Sequence, residues 1–488
     1  MAPKKNPQHN KKQNKEQTPD TESDTTIDSD TKTTTTSDSS NNNNNSEEKK
    51  YTFVEEKKYL DTNIYPHCYE FKKNKGNKSI FQSNNNVVFS ENMEFPSFEY
   101  GFHHFVHQSK NYLNDETKKF EGRKKVWNIL NRYETSIDNH TQSISDISKK
   151  YFSEYSKLDI INNAFYKSWE LYTYFDMIDT KKENFTSAHL FDGNGNFSQS
   201  TILFRDVFCK KGLSKNDKCN LFDNEKIKNI DDTEIDKKFE DFYEKEKRIT
   251  KNKTPNLKQK CDFVTADGGF AELNENLQEK ESPKLLIYEI ISAIKLLKKG
   301  GVFVCKFFET FTKTSLKIII ILTELFENIY FVKPLMSKLS SNEKYAVCLN
   351  FAYTENDKEY KNILESLENM YEKMKKINDK ENIVNIFSDY NIPEEISIMA
   401  TYMNISLSNS NFKQIGKIIK FIRNQVYSGE EYHENRDEQI EGTKYWSSLY
   451  FDDNIDKIKD KTKSIIKMTL ADSEKNMNAI SKNKERLQ

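Results

Sequence analysis

Between residues 158 and 353, short apolar runs alternate with longer stretches whose apolar positions recur at helical spacing. "SAHLF" at 187–191, "CDFVTAD" at 261–267 and "GVFVCK" at 301–306 read as strands. "LLIYEIISAIKLLKKGG" separates the last two and reads as a helix that stops at Lys298-Lys299-Gly300-Gly301. Strand, helix and strand of these lengths make a parallel α/β unit. "SLKIIIILTELFE" predicts the next helix, and "NIYFVKP" and "KYAVCLNFAY" two more strands joined by a Lys/Ser/Asn-rich loop. A doubly wound α/β sheet is the expected architecture.

The flanks differ. Residues 1–50 are almost purely polar, with "TKTTTTSDSSNNNNNS" at their centre, and are expected to be a disordered tail. Residues 51–157 form a mixed, partly helical region. Residues 354–488 carry amphipathic charged stretches such as "YKNILESLENMYEKMKKIND" and predict a helical region packed through its apolar stripes. His103 and His107, in "GFHHFVHQSK", have the i,i+4 spacing of a helical zinc pair. No glutamate of the metalloprotease pattern lies between them and no third ligand is evident, so no metal site is assigned.

The 488 residues hold 75 Lys+Arg against 76 Asp+Glu, so any nucleic-acid footprint has to be a local patch. The six cysteines include no Cys-x-x-Cys pair and read as reduced, buried thiols of an intracellular protein. "MAPKKNPQHNKK" has no apolar core for a secretory signal, and "IIIIL" is far too short to span a bilayer. A soluble, cytoplasmic protein with no membrane partner is the expectation.

In open α/β sheets ligands gather at the carboxyl ends of the strands. There the first strand is followed by Asp192-Gly193-Asn194-Gly195-Asn196-Phe197, the second by Asp267-Gly268-Gly269, and the third ends on Lys306. Glu343 opens the last strand, and Lys167 lies on the helical stretch "NNAFYKSWELYTYF". Two lysines and two acids therefore converge on one sheet edge. Singly each has a plainer reading: a turn-forming Asp, a helix-face lysine, a surface Glu343–Lys344 pair.

The segments "NNAFYKSWEL", "AHLFDGNGNF", "VTADGGF", "GGVFVCKFFETF" and "KPLMSKLSSNEKYAVCLNF" resemble the FtsJ-like ribose 2′-O-methyltransferases, in particular the Adrift-type branch of eukaryotic cap methyltransferases and large DNA viruses. The resemblance covers residues 158–353. It implies a Rossmann-like sheet with an antiparallel last strand, S-adenosylmethionine as cofactor, and capped mRNA as substrate. Other capping or transcription proteins are implied as partners. It places the family's Lys-Asp-Lys-Glu tetrad on Lys167, Asp267, Lys306 and Glu343. The Asn- and Lys-heavy composition suits an AT-rich genome such as a giant virus's, where a virus factory or virion would be the location.

On the cofactor side the resemblance points to Asp192, Gly193, Gly195, Asn196 and Phe197, with Asp267. Asn194 stands where the family has proline and Asn196 where it has a second glycine. Asparagine is the best non-glycine residue if that position needs positive φ. Glycine at 196 is then expected to serve at least as well. The adenine-contacting acid falls in "NIDDTEI", on Glu234 or Asp232.

Methyl transfer to a ribose 2′-hydroxyl needs the oxygen aimed at the methyl and relieved of its proton. A lysine made neutral by burial and by a nearby cation can do both. Lys306 is the expected base, Lys167 the neighbouring cation, and the two acids fix the amines. Two rival readings are a cofactor-poor pseudoenzyme that binds capped RNA or a capping partner, and a ribosomal or transfer RNA 2′-O-methyltransferase.

Overall fold

A computed structural model of the chain describes residues 65–73, 76, 78–96, 100–193, 195–222, 233–269, 275–378 and 380–487. The tail expected at 1–50, and with it Asn194 and Asp232, lies outside the described residues. Residues 55–488 form one compact unit.

The strands are β1 (His67–Phe71), β2 (Val87–Ser90), β3 (Thr186–Leu190), β4 (Lys218–Phe222), β5 (Ile249–Asn252), β6 (Cys261–Ala266), β7 (Leu297–Phe307), β8 (Phe326–Lys333), β9 (Lys344–Phe351) and β10 (Asn382–Ile386). The helices are α1 (Tyr100–Thr117), α2 (Ile144–Tyr151), α3 (Ala164–Tyr174), α4 (Asn196–Phe208), α5 (Thr233–Lys245), α6 (Gln278–Leu296), α7 (Lys313–Leu325), α8 (Lys358–Met374), α9 (Glu394–Arg423), α10 (Glu430–Tyr450) and α11 (Ile455–Leu487).

Eight strands form one sheet in the order β1-β8-β9-β7-β6-β3-β4-β5. Strands β3 to β7 pair in parallel, and β9 runs antiparallel between β7 and β8. The Rossmann-like doubly wound sheet with an antiparallel last strand is thus present. The five sequence-predicted strands are all there. Strands β1, β4 and β5 complete the sheet, and β2 pairs with β10 in a separate two-stranded sheet. The segments of β4 and β5, "KCNLF" and "ITKN", are short and partly polar, so the apolar pattern does not reveal them.

One boundary moves. Helix α6 ends at Leu296, and Lys298-Lys299-Gly300-Gly301 belongs to β7 rather than to a helix stop. Leu296 and Leu297 are both buried, so the chain passes from helix to strand without a loop. The exposed Lys-Lys-Gly then bulges, with Gly300 at φ 78° and a register shift against β6 between Cys261 and Phe263.

Strand alternation sorts the side chains onto two faces. Phe303, Cys305 and Phe307 pack with α6, α7 and α8, whereas Val304 packs with residues of α3, α4, α10 and α11. Trp169, Phe197, Trp446 and Ile465 belong to that second core. The C-terminal helices thus pack on the sheet, as their stripes imply: Ser473 Oγ of α11 donates to the carbonyl of Cys68 in β1. The six cysteines are free, five of them buried. Among the described residues no helix is long and apolar enough to cross a membrane.

Candidate active site

The side-chain parity that builds the core also builds the site. Lys306 shares its face of β7 with Val304, and Tyr345 shares its face of β9 with Val347; both valines pack in the α3–α4 core. Glu343 lies two residues before Tyr345, and Asp267 four residues after Phe263 of the same core. Helix α3 brings Lys167 to this face.

The four sequence-predicted tetrad residues meet as two joined ion pairs. Lys167 Nζ donates to Glu343 Oε1 at 2.6 Å. Lys306 Nζ donates to the carbonyl oxygen of Asp267 at 2.7 Å and lies 3.1 Å from its Oδ1. The Tyr345 hydroxyl ties the pairs together, 3.0 Å from Glu343 Oε1 and 3.4 Å from Asp267 Oδ1. The plainer reading of Glu343, an exposed pair with Lys344, does not occur: Lys344 is buried and its Nζ donates to the carbonyl of Phe308.

The charges are set by burial and by these neighbours. Burial works to raise Glu343, but Lys167 and Lys306 hold it at about 2. Burial raises Asp267 and outweighs the pull of Lys306. Burial alone would lower Lys306, yet Asp267 and Glu343 win and shift it above the ordinary lysine value. The expectation that burial and Lys167 would depress Lys306 is therefore reversed by its two carboxylate neighbours. At Gly269 a Cβ would stand 3.2 Å from Lys306 Nζ, so a larger residue there would push the amine by a few tenths of an ångström.

Several supporting residues gave little sequence signal. Tyr345 was discoverable, since i and i+2 on a strand share a face. Glu170, fully buried on α3, accepts from the backbone N–H of Leu335 and Met336, the Trp446 indole and the Tyr174 hydroxyl. It pins the start of the loop that ends at Glu343. Lys333 Nζ donates to the carbonyls of Ser341 and Glu343 and pins its end. Glu289, pushed up to about 8 by burial, lies beneath Cys305 and accepts from its thiol at 3.3 Å.

The turn after β3 is organised by Asp192. It is buried, and its carboxylate accepts from the N–H groups of Phe197 (2.9 Å) and Ser198 (2.8 Å) and from the Ser198 hydroxyl at the start of α4. Positive φ falls on Gly193 (51°) and Gly195 (73°). At Gly195 a Cβ would come within 2.6 Å of the Phe239 ring. Asn196 is the first residue of α4, with helical backbone, so positive φ is not what asparagine supplies there. It is instead buried, with an Oδ1 that has no hydrogen-bond partner among the described residues. The Phe197 ring faces Tyr345 in the core. Glu234 lies on α5.

His103 and His107 do acquire a third neighbour, Glu309 after β7, with potential ligand atoms within 4.8 Å of one another. That carboxylate is already engaged by Lys110 at 2.6 Å, His107 at 2.8 Å and Asn342. It reads as a buried ion-pair network that ties α1 to the residue preceding Glu343.

Residues 160–351, which include all four tetrad positions, match the family model of the FtsJ-like methyltransferases. A cap-specific mRNA (nucleoside-2′-O-)-methyltransferase 1 of Mus musculus is 31% identical over 183 residues, 37% of this chain and 21% of the mouse protein. The protein of that name in Trypanosoma cruzi is 37% identical over 100 residues, 20% of this chain and 28% of that one. The chain thus spans between a fifth and a third of the length of these two relatives. Among solved structures, fibrillarin of Aeropyrum pernix with bound S-adenosyl-L-methionine aligns at TM-score 0.25 and 9% identity, over 38% of this chain and 76% of that one. Human methyltransferase-like protein 13 with SAH aligns at TM-score 0.24 and 10% identity, over 45% and 93%.

Proposed function

We propose that the protein, whose residues 160–351 match the FtsJ-like methyltransferase family model, transfers a methyl group from S-adenosylmethionine to a ribose 2′-hydroxyl near the 5′ cap of mRNA. The observation that carries this reading is the closure of Lys167–Glu343 and Lys306–Asp267 through Tyr345 at one sheet edge. An isolated surface lysine has no reason to sit in such a cage.

The residues of the β3 turn fit the cofactor. The orphaned Asn196 Oδ1 is a buried acceptor at the N-terminus of α4, suited to a donor on the amino-acid end of the molecule. Gly193 and Gly195 let the backbone turn tightly beside it. S-adenosylmethionine, when bound, supplies a methyl group on a positively charged sulfur. Lys306 orients the ribose hydroxyl and takes its proton as the oxygen attacks. Asp267 holds the Lys306 amine in place through its carbonyl and carboxylate. Glu343 holds Lys167 beside the reacting oxygen, and Tyr345 keeps the two carboxylates in register.

The test is mass spectrometry of a short capped RNA after incubation with protein and cofactor. A mass gain of one methyl group, placed on a ribose by nuclease mapping, is expected. Equal methylation of uncapped RNA would favour the ribosomal or transfer RNA reading. Binding of capped RNA with neither cofactor binding nor methylation would favour the pseudoenzyme.

A further inference from the structure

Behind the loop that carries Glu343 lies a polar cavity of about 90 Å³. That is room for about three waters, or for one phosphate group, and too little for a nucleoside. Its wall includes His67 of β1, Arg132, Lys333 at the end of β8, Lys338 of the loop, Lys417 of α9 and Glu438 of α10. Five permanently or potentially cationic groups thus converge with a single carboxylate in the wall. The chain as a whole carries a net charge of −1, so this concentration is local.

Two nitrogens in the wall have no hydrogen-bond partner among the described residues. His67 is 9% exposed, and its Nε2 is buried without a hydrogen-bond partner among the described residues. Its Nδ1 lies 3.4 Å from the Tyr69 hydroxyl. Arg132 Nε is likewise buried and unpartnered. Buried nitrogens left without acceptors are costly, and an anion would satisfy both. Burial, and then Lys333, pushes His67 down to about 4, while burial lowers Lys333 to about 7. An arriving negative charge would favour the protonated form of each.

We propose that this cavity is a phosphate-binding site that holds one backbone phosphate of the RNA substrate. The identity of the ligand rests on the methyl-transfer reading above. Two observations favour RNA as the source. The charge of Lys167 in the tetrad is felt at both Lys333 and Lys338, so the cavity lies within electrostatic reach of the reacting ribose. Glu134 and, in the opposite sense, Lys125 also act on Lys338, so a further cation lies near the cavity. A strand whose ribose occupies the tetrad presents a phosphate at every nucleotide. Lys333 then links the two places, since the amine that borders the cavity also holds the carbonyls of Ser341 and Glu343.

The experiment is fluorescence anisotropy of a labelled short capped RNA with the full chain, over a series of salt concentrations. Wild type is compared with Lys417→Glu, an exposed position that leaves packing intact, and with Arg132→Gln. Both variants are expected to bind RNA about tenfold more weakly, with a shallower dependence of log K on log salt by about one phosphate's share. Calorimetric affinity for S-adenosylmethionine should be unchanged. Should Arg132→Gln fail to fold, Lys417→Glu decides the matter. Unaltered RNA affinity and salt slope overturn the proposal, even if the wild type methylates capped RNA. Phosphorus NMR with inorganic phosphate supplies the second arm. If phosphate binds the wild type and not the variants while RNA affinity is unmoved, the cavity serves a free anion and the proposal fails. Weakened RNA binding by the variants, with no methyl transfer by the wild type, supports the phosphate site and sinks the methyl-transfer reading instead.

Discussion

At the scale of single residues, the tetrad makes Lys306 the group to test. The neutral amine is the form that can accept the ribose proton. Asp267 and Glu343 shift Lys306 above the ordinary lysine value, so the charged form dominates at neutral pH. The single-turnover rate should therefore rise with pH across the neutral range, without a plateau below the ordinary lysine pKa. Lys306→Arg keeps the charge but cannot release a proton there, and should be nearly inactive while still binding cofactor by calorimetry. A near wild-type rate for that variant would falsify the base assignment. Tyr345→Phe keeps the ring packed against Phe197 and removes the hydroxyl between the two acids. Hydrogen bonds to charged groups contribute about 1.5–3 kcal/mol, so a roughly ten- to hundredfold fall in rate is expected, with little change in cofactor affinity. Asn196→Gly is now expected to weaken cofactor binding about tenfold, because the side chain offers a buried acceptor and not a backbone conformation. Unchanged or tighter binding in a titration would restore the earlier expectation for glycine at that position.

At the scale of elements, the loop between β8 and β9 is held at both ends by buried charge. Lys333 fixes its exit, and Glu170 its entry through the backbone N–H groups of Leu335 and Met336, while Trp446 and Tyr174 hold the same carboxylate. Burial pushes Glu170 up to about 7, and the hydrogen bonds from Trp446, Met336 and Leu335 act against that rise. Removing the carboxylate leaves several buried donors orphaned at about 1–3 kcal/mol each, not fully additive. Glu170→Ala should lower stability by at least about 3 kcal/mol in denaturant titrations. Trp446 ties the same carboxylate to α10, so Glu170 joins a C-terminal helix to the loop that ends at Glu343. If Glu170→Ala lost activity without any loss of stability, Glu170 would have a role beyond anchoring the loop.

At the scale of the whole molecule, the near-zero net charge and the compact unit of residues 55–488 define what can be removed. Deleting residues 1–50 should leave methyl transfer and melting temperature nearly unchanged. A large loss of activity would show that lysines of that segment reach the RNA. Deleting α11 should have the opposite effect. Thr462 donates to the carbonyl of Thr173 on α3, Ser473 to that of Cys68 in β1, and Ile458 and Ile465 are buried. Each buried isoleucine contributes about 1.5–3 kcal/mol, which is a large share of the stability of an ordinary domain. The truncated chain is expected to be insoluble or to lose its cooperative transition, as read by differential scanning calorimetry.

The five strands with continuous apolar runs, the parallel unit around α6 and the convergence of Lys167, Asp267, Lys306 and Glu343 were all legible in the sequence. The elements follow from local rules, since periodicity assigns the element and strand parity the face. The grouping of the four residues into a tetrad came with the family resemblance, because Lys167 lies on a helix and Glu343 precedes an antiparallel strand. What local rules could not supply were β1, β4 and β5. Their short, partly polar segments become strands through the neighbours they pair with. The burial of Lys344, Glu170 and Lys333 was equally invisible, because a lysine or glutamate in a sequence looks the same whether water or four donors surround it. The direction of the Lys306 shift was hidden for the same reason. It depends on whether desolvation or two carboxylates win at distances of a few ångströms, and only the packed tertiary structure sets those distances.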